Sequence, residues 1–124
     1  MVAEHFFYIK QGNSKAKVIV FLHGFLEDHS IWKGLADRLS DDYCVIAIDL
    51  LGHGKTPTIA LVHTMERMAE EVYTILQKEA VSTCTLVGHS MGGYVALAFA
   101  ELFAEKMAGL ILMNSTPLPD SEEK

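Results

Sequence analysis

The stretch Leu86–Ala100, LVGHSMGGYVALAFA, decides the fold. It begins as an apolar strand, ends as an apolar helix, and sets Ser90 at the change-over, inside Gly88-His89-Ser90-Met91-Gly92. That run satisfies the G-x-S-x-G pattern in the context its chemistry requires, with a strand directly before and a helix directly after. The spacing has a steric cause. A serine on so sharp a turn takes a strained backbone conformation, and side chains at the flanking positions would collide with each other or with the strand and helix; glycine has none. The turn is expected to lift the Ser90 hydroxyl above the carboxyl edge of a sheet and to aim the first helix amides at it. An anion forming there would meet preorganised N–H donors.

Outward from this turn, strands and helices alternate. His5–Lys10 (HFFYIK) reads as a first strand, and QGNSK after it carries turn chemistry. Lys17–Leu22 (KVIVFL) is continuously apolar, as in a strand of a parallel sheet covered on both faces. Ser30 is placed to cap a helix with Ile31, Leu35 and Leu39 on its inner stripe. Cys44–Leu50 returns to strand, and glycines 52 and 54 with Pro57 mark a loop. Thr64 then caps a helix carrying Met65, Met68, Val72, Ile75 and Leu76 on one stripe. Thr83–Val87 is the strand before Ser90, the helix after it runs from Met91 to about Lys106, and Gly109–Met113 (GLILM) is the last strand. Each crossover is long enough to join parallel neighbours. The pattern predicts right-handed βαβ units in an α/β fold with a mostly parallel, doubly wound sheet and flanking helices.

Bulk properties bound the function. The 124 residues make one domain over 1–124, half of them apolar, with net charge −6 and no basic face to neutralise phosphates. Nucleic acid is therefore not an expected partner. No basic leader followed by an apolar core opens the chain, and no apolar run approaches the roughly 20 residues that cross a bilayer, so no membrane partner and a cytoplasmic location are expected. Cys44 and Cys84 have neither CxxC nor metal-ligand spacing and read as buried thiols. His5, His29, His53 and His63 read as surface or loop residues, and no histidine pair has helical metal spacing. No metal or organic cofactor is implied. Gly52-His-Gly-Lys-Thr56 looks like the end of a phosphate-binding loop, but Asp49 stands where that loop needs its first glycine and Pro57 where its helix should start.

Taken in order, VIVFLHGF (18–25), DLLGHGKT (49–56), LVGHSMGGYVALAFA (86–100) and GLILMNS (109–115) resemble the N-terminal half of an α/β-hydrolase, over nearly the whole chain. The resemblance implies Ser90 as nucleophile and the backbone amides of Phe25 and Met91 as the oxyanion hole. It assigns His23, Gly24, Gly88, His89 and Gly92 to the supporting turns, and puts Leu26 and Tyr94 beside Phe25 near the substrate cleft. Asp49 and its glycines would shape a loop without a chemical role. The substrate would be a small carboxylic ester or related acyl compound. A non-catalytic binding or assembly module and a lyase of quinone biosynthesis are alternatives on the same fold.

One departure matters. The family places an acid and then a histidine after the nucleophile, yet no histidine follows His89, and Asp120 is the only nearby carboxylate available as a variant acid. The sequence stops just past what would be the sixth of the family's eight strands, so the cap, histidine and acid are expected beyond it and these residues alone should be nearly inactive. GLILM would then be an exposed apolar edge, from which a homodimer or strand-exchanged oligomer is expected. In the family's strand order Cys44 and Cys84 lie two strand spacings apart, about 9.6 Å. A disulfide reaches about 7 Å.

Overall fold

The computed structural model describes residues 6–58 and 63–113. In chain order they form β1 (Tyr8–Gln11), β2 (Val18–Leu22), α1 (Lys33–Leu39), β3 (Cys44–Ile48), α2 (Met65–Lys78), β4 (Cys84–His89), α3 (Met91–Leu102) and β5 (Met107–Met113). The strands make one sheet in the order β1-β3-β2-β4-β5. Only β1 runs antiparallel, against β3; the other pairings are parallel. This is the expected α/β architecture, with both ends of β2 and β4 in register through Ile19 opposite Thr85 and Leu22 opposite Gly88.

Strand alternation divides the core between two layers. Val20, Leu22, Ile46, Ile48 and Leu86 face α2 and α3, where they meet Met68, Val72, Ile75, Leu76, Val95 and Phe99. Phe21, Val45, Ala47 and Val87 face the other way, onto Trp32 and Ala36. Every residue of β3 is buried, which is why its sequence shows no polar alternation. Beside α1 this second layer opens into an apolar groove of about 450 Å³ that reaches Ile111 and Met113. Strand β5 is a sheet edge, and Ile111 on it is 50% exposed.

Four boundaries differ from expectation. Asp28, not Ser30, is the cap: its carboxylate accepts the Ser30 N–H at 2.8 Å and starts a 3₁₀ turn over His29–Trp32. A 3₁₀ turn holds three residues where an α turn holds 3.6, so the helical face is rotated before α1 begins. Trp32 and Ala36 are consequently buried, whereas Ile31 and Leu35 are exposed. Helix α3 ends at Leu102, short of Lys106, because Phe103 leaves helical geometry (φ −134°, ψ 48°) and stacks on Tyr73 with centroids 4.3 Å apart. A further 3₁₀ turn over Ala104–Lys106 follows, and β5 starts at Met107, earlier than the predicted Gly109. The first strand lies at Tyr8–Gln11, and His5 falls outside the described residues.

The helix over 65–78 matches its prediction. Thr64 Oγ1 accepts the Arg67 N–H at 3.0 Å, and Met68, Val72, Ile75 and Leu76 are buried. Cys44 and Cys84 sit on β3 and β4 with β2 between them, buried and unbridged. Gly34 offers a check on α1. A methyl group there would meet nothing within 4 Å. Gly34→Ala is expected to raise stability by about 0.5–1 kcal/mol, because alanine loses less backbone entropy in a helix. A urea midpoint equal to or below that of the parent chain would contradict this.

Candidate active site

Ser90 occupies the single residue between β4 and α3, with φ 55° and ψ −115°. A positive φ strains any residue with a β-carbon, and such strain persists only where the surroundings impose it. Here they do. A β-carbon on Gly88 would lie 2.4 Å from the carbonyl oxygen of Gly92, and one on Gly92 would lie 2.2 Å from that of Leu22. Helix, strand and neighbouring strand therefore meet backbone to backbone around the turn. The Gly93 N–H donates to Ser90 O at 2.8 Å, and the Ser90 N–H donates to Met113 O at 3.3 Å, tying the turn to the end of β5.

Because β2 and β4 are parallel neighbours, the His23-Gly24-Phe25 loop leaves the sheet on the same edge as Ser90. The two loops are in close contact: a β-carbon built on Gly24 would be 3.3 Å from Ser90 Cβ. His23 is fully buried and fixes this loop. Its Nε2 accepts the Leu50 N–H at 3.0 Å, so the ring proton sits on Nδ1 and is donated to Gly24 O at 2.7 Å. Desolvation holds the His23 pKa below its ordinary value, which keeps that neutral tautomer. With both nitrogens engaged, His23 has no lone pair to take a proton from Ser90.

The planarity of the peptide group then orients Phe25. In a trans peptide the N–H points opposite to the preceding C=O. No cis bond occurs in the described backbone, so holding Gly24 O towards the His23 ring turns the Phe25 N–H away from it. Phe25 is 66% exposed and Leu26, at φ 64°, is 80% exposed. Phe25 and Met91, the two residues whose amides were expected as oxyanion donors, line one cavity of about 350 Å³ with Leu51, His53, Met65 and Met68. Leu26 and the half-buried Tyr94 do not line it.

Four residues emerge that the sequence patterns left unassigned or assigned too weakly. Glu27 accepts the Gly24 N–H at 2.7 Å and lies 3.1 Å from His89 Nδ1, whose ring meets Trp32 edge-on. Asp49 is fully buried and takes both the backbone N–H and ring Nδ1 of His29 at 2.8 Å, with Lys55 N–H on its other oxygen at 2.8 Å. His29, expected as a bystander, is therefore part of the loop's framework. Asp28, His29 and Asp49 gather ligand atoms within 4.8 Å, but main-chain and side-chain donors of the protein already engage both carboxylates. Glu71, in mid-α2, is buried among the stripe that reads as apolar. Its Oε1 accepts the Leu51 N–H at 2.8 Å, while Oε2 has no hydrogen-bond partner. Desolvation, with the Asp49 charge adding to it, pushes its pKa up to about 9, so it is a neutral acid near pH 7.

Cys84 opens β4, at the opposite end of the strand from Ser90, and burial pushes its thiol up to about 12. Asp120 lies outside the described residues. No helix among the described residues is long and apolar enough to cross a membrane.

Known proteins are similar to this chain in sequence and fold. A thermophilic esterase from Thermogutta terrifontis superposes with a TM-score of 0.89 and 36% identity, over 95% of this chain and 43% of its own. Epoxide hydrolase 3 of Xenopus tropicalis is 32% identical over 112 residues, 89% of this chain and 30% of that protein. The dihydrolipoyllysine-residue acetyltransferase component of the acetoin cleaving system of Cupriavidus necator is 32% identical over 114 residues, 92% of this chain and 30% of that protein. The chain thus spans under half the length of each. Their activities differ, so what is common is the scaffold. The sequence profile of the alpha/beta hydrolase fold matches residues 17–124, and with the parallel sheet and the strained serine turn already in place, the chain belongs to the α/β-hydrolase fold family.

Proposed function

We propose that this chain supplies the nucleophile and oxyanion hole of a serine hydrolase acting on small carboxylic esters or related acyl compounds. Ser90 Oγ adds to the acyl carbon and passes its proton to a base; the carbonyl oxygen becomes an oxyanion held by the Phe25 and Met91 amides. Collapse expels the alcohol, and water releases the acid from the acyl-enzyme. Each amide donor of this kind contributes about 3 kcal/mol to the transition state. The observation that carries the reading is the Ser90 backbone at φ 55°, held by a β4-to-α3 turn that closes only because Gly88 and Gly92 lack side chains. The likeness to an esterase supports it.

In this reading the base is the histidine that the family places after the nucleophile. No histidine follows His89, and both His23 nitrogens are spent on the loop. We assign the histidine and its carboxylate partner to groups outside the described residues, and expect slow turnover without them. A fluorophosphonate probe tests the proposal in the full natural reading frame. One adduct is expected, mapped to Ser90 by mass spectrometry and lost in Ser90→Ala. A folded full-length protein that stays unlabelled would favour the non-catalytic binding module.

A further inference from the structure

Among the described residues, Glu27 is the one acidic side chain recorded as bonding both loops of the site. A single carboxylate oxygen, Oε1, accepts the Gly24 N–H at 2.7 Å and sits 3.1 Å from Nδ1 of His89, the residue immediately before Ser90. Its own backbone N–H returns to Gly24 O at 3.1 Å, closing the turn over Gly24-Phe25-Leu26-Glu27. That turn has Leu26 at φ 64° in the place where such turns favour glycine, so it is strained and would relax without external restraint.

We propose that Glu27 is a positioning residue that clamps the Phe25 amide in place by bonding the oxyanion loop to the nucleophile turn. The inference rests on reading Ser90 as the nucleophile. The Gly24–Phe25 peptide is the element to be held. Gly24 O is gripped by the His23 ring and by Glu27 N–H, but the peptide before Gly24 is gripped by the Glu27 carboxylate. Two anchors prevent rotation where one would permit it. The second end of the clamp, on His89, refers the loop to the residue beside the nucleophile and not merely to its own strand. The space is tight enough for this to matter: a β-carbon on Gly24 would stand 2.6 Å from Glu27 Oε1, 3.1 Å from His89 Nδ1 and 3.3 Å from Ser90 Cβ. Glu27 is only partly buried, so removing it leaves the core intact.

The test compares Glu27→Ala and Glu27→Gln in the full-length chain, reading the second-order rate of Ser90 phosphonylation and the NMR signal of the Gly24 amide proton. Glu27→Ala should slow phosphonylation about tenfold, the loss expected for one charge-assisted hydrogen bond. It should also move the Gly24 proton upfield and speed its exchange. Glu27→Gln keeps an oxygen acceptor for Gly24 and should recover the rate to within about threefold, a rescue that charge alone would not explain, with the Gly24 proton signal separating a restored acceptor from restored bulk. An alanine variant labelled at the parent rate, or a Gly24 signal that does not move, overturns the clamp. An unlabelled parent chain would instead remove the nucleophile reading itself, so the two failures are distinct.

Discussion

Gly92→Ala is expected to destabilise the fold by about 3 kcal/mol or more, with loss of Ser90 reactivity in the fraction that remains folded. The added methyl would sit 2.2 Å from Leu22 O, 2.6 Å from Leu22 C and 2.6 Å from His23 O. All three are backbone atoms, so no rotamer change can relieve the overlap. Either α3 must lift from β2, which uncovers Val95, Ala96 and Phe99 in the larger core, or the His23 loop must shift and take the Gly24–Phe25 peptide with it. Gly88→Ala, whose methyl would be 2.4 Å from Gly92 O and 2.6 Å from Gly93 Cα, should behave alike. Equilibrium urea unfolding measures the first effect and probe labelling the second. A Gly92→Ala protein with the parent's unfolding midpoint would mean that the turn is looser than its geometry requires.

The second large effect concerns Glu71 and depends on pH. Its folded pKa is raised to about 9, whereas the unfolded value is near the ordinary 4.5. Below about pH 4.5 both states carry the proton and Glu71 imposes no penalty. Between the two values the folded state keeps a proton that the unfolded state has released, so stability falls as pH rises, by about 1.4 kcal/mol per pH unit. Near pH 7 the accumulated deficit is on the order of 3 kcal/mol, and above about pH 9 it levels off. Glu71→Gln retains an oxygen for the Leu51 N–H and cannot ionise, so it should remove most of this slope. The variant is expected to match the parent chain at pH 4.5 and to exceed it by on the order of 3 kcal/mol at pH 7. Parallel stability curves for the two proteins would show that Glu71 ionises as freely when folded as when unfolded.

Much of the framework was legible in local pattern. The continuous apolar run of β2, the Thr64 cap, the helical stripe of α2 and the glycine-flanked serine each depend on residues within a few positions of one another. Local sterics and periodicity act over that same range. The buried stripe of α1 departs from the helical pattern of its sequence because the 3₁₀ turn capped by Asp28 shifts the phase by a fraction of a turn. Ser30 and Asp28 are both good cap residues, and which of them caps depends on how the preceding strained turn delivers the chain.

The order of strands and helices, the place of Ser90 between two obligatory glycines, and the lack of any histidine after it are all legible in the amino-acid order alone. Which distant groups meet depends on the folded sheet: Glu27 with His89, 62 positions apart, His23 with Leu50, and Glu71 with Leu51. Polar side chains of this kind carry no periodicity. Their roles are set by the hydrogen-bonding groups that burial forces upon them, and those partners exist only once the parallel sheet has brought the ends of β2, β3 and β4 to one edge.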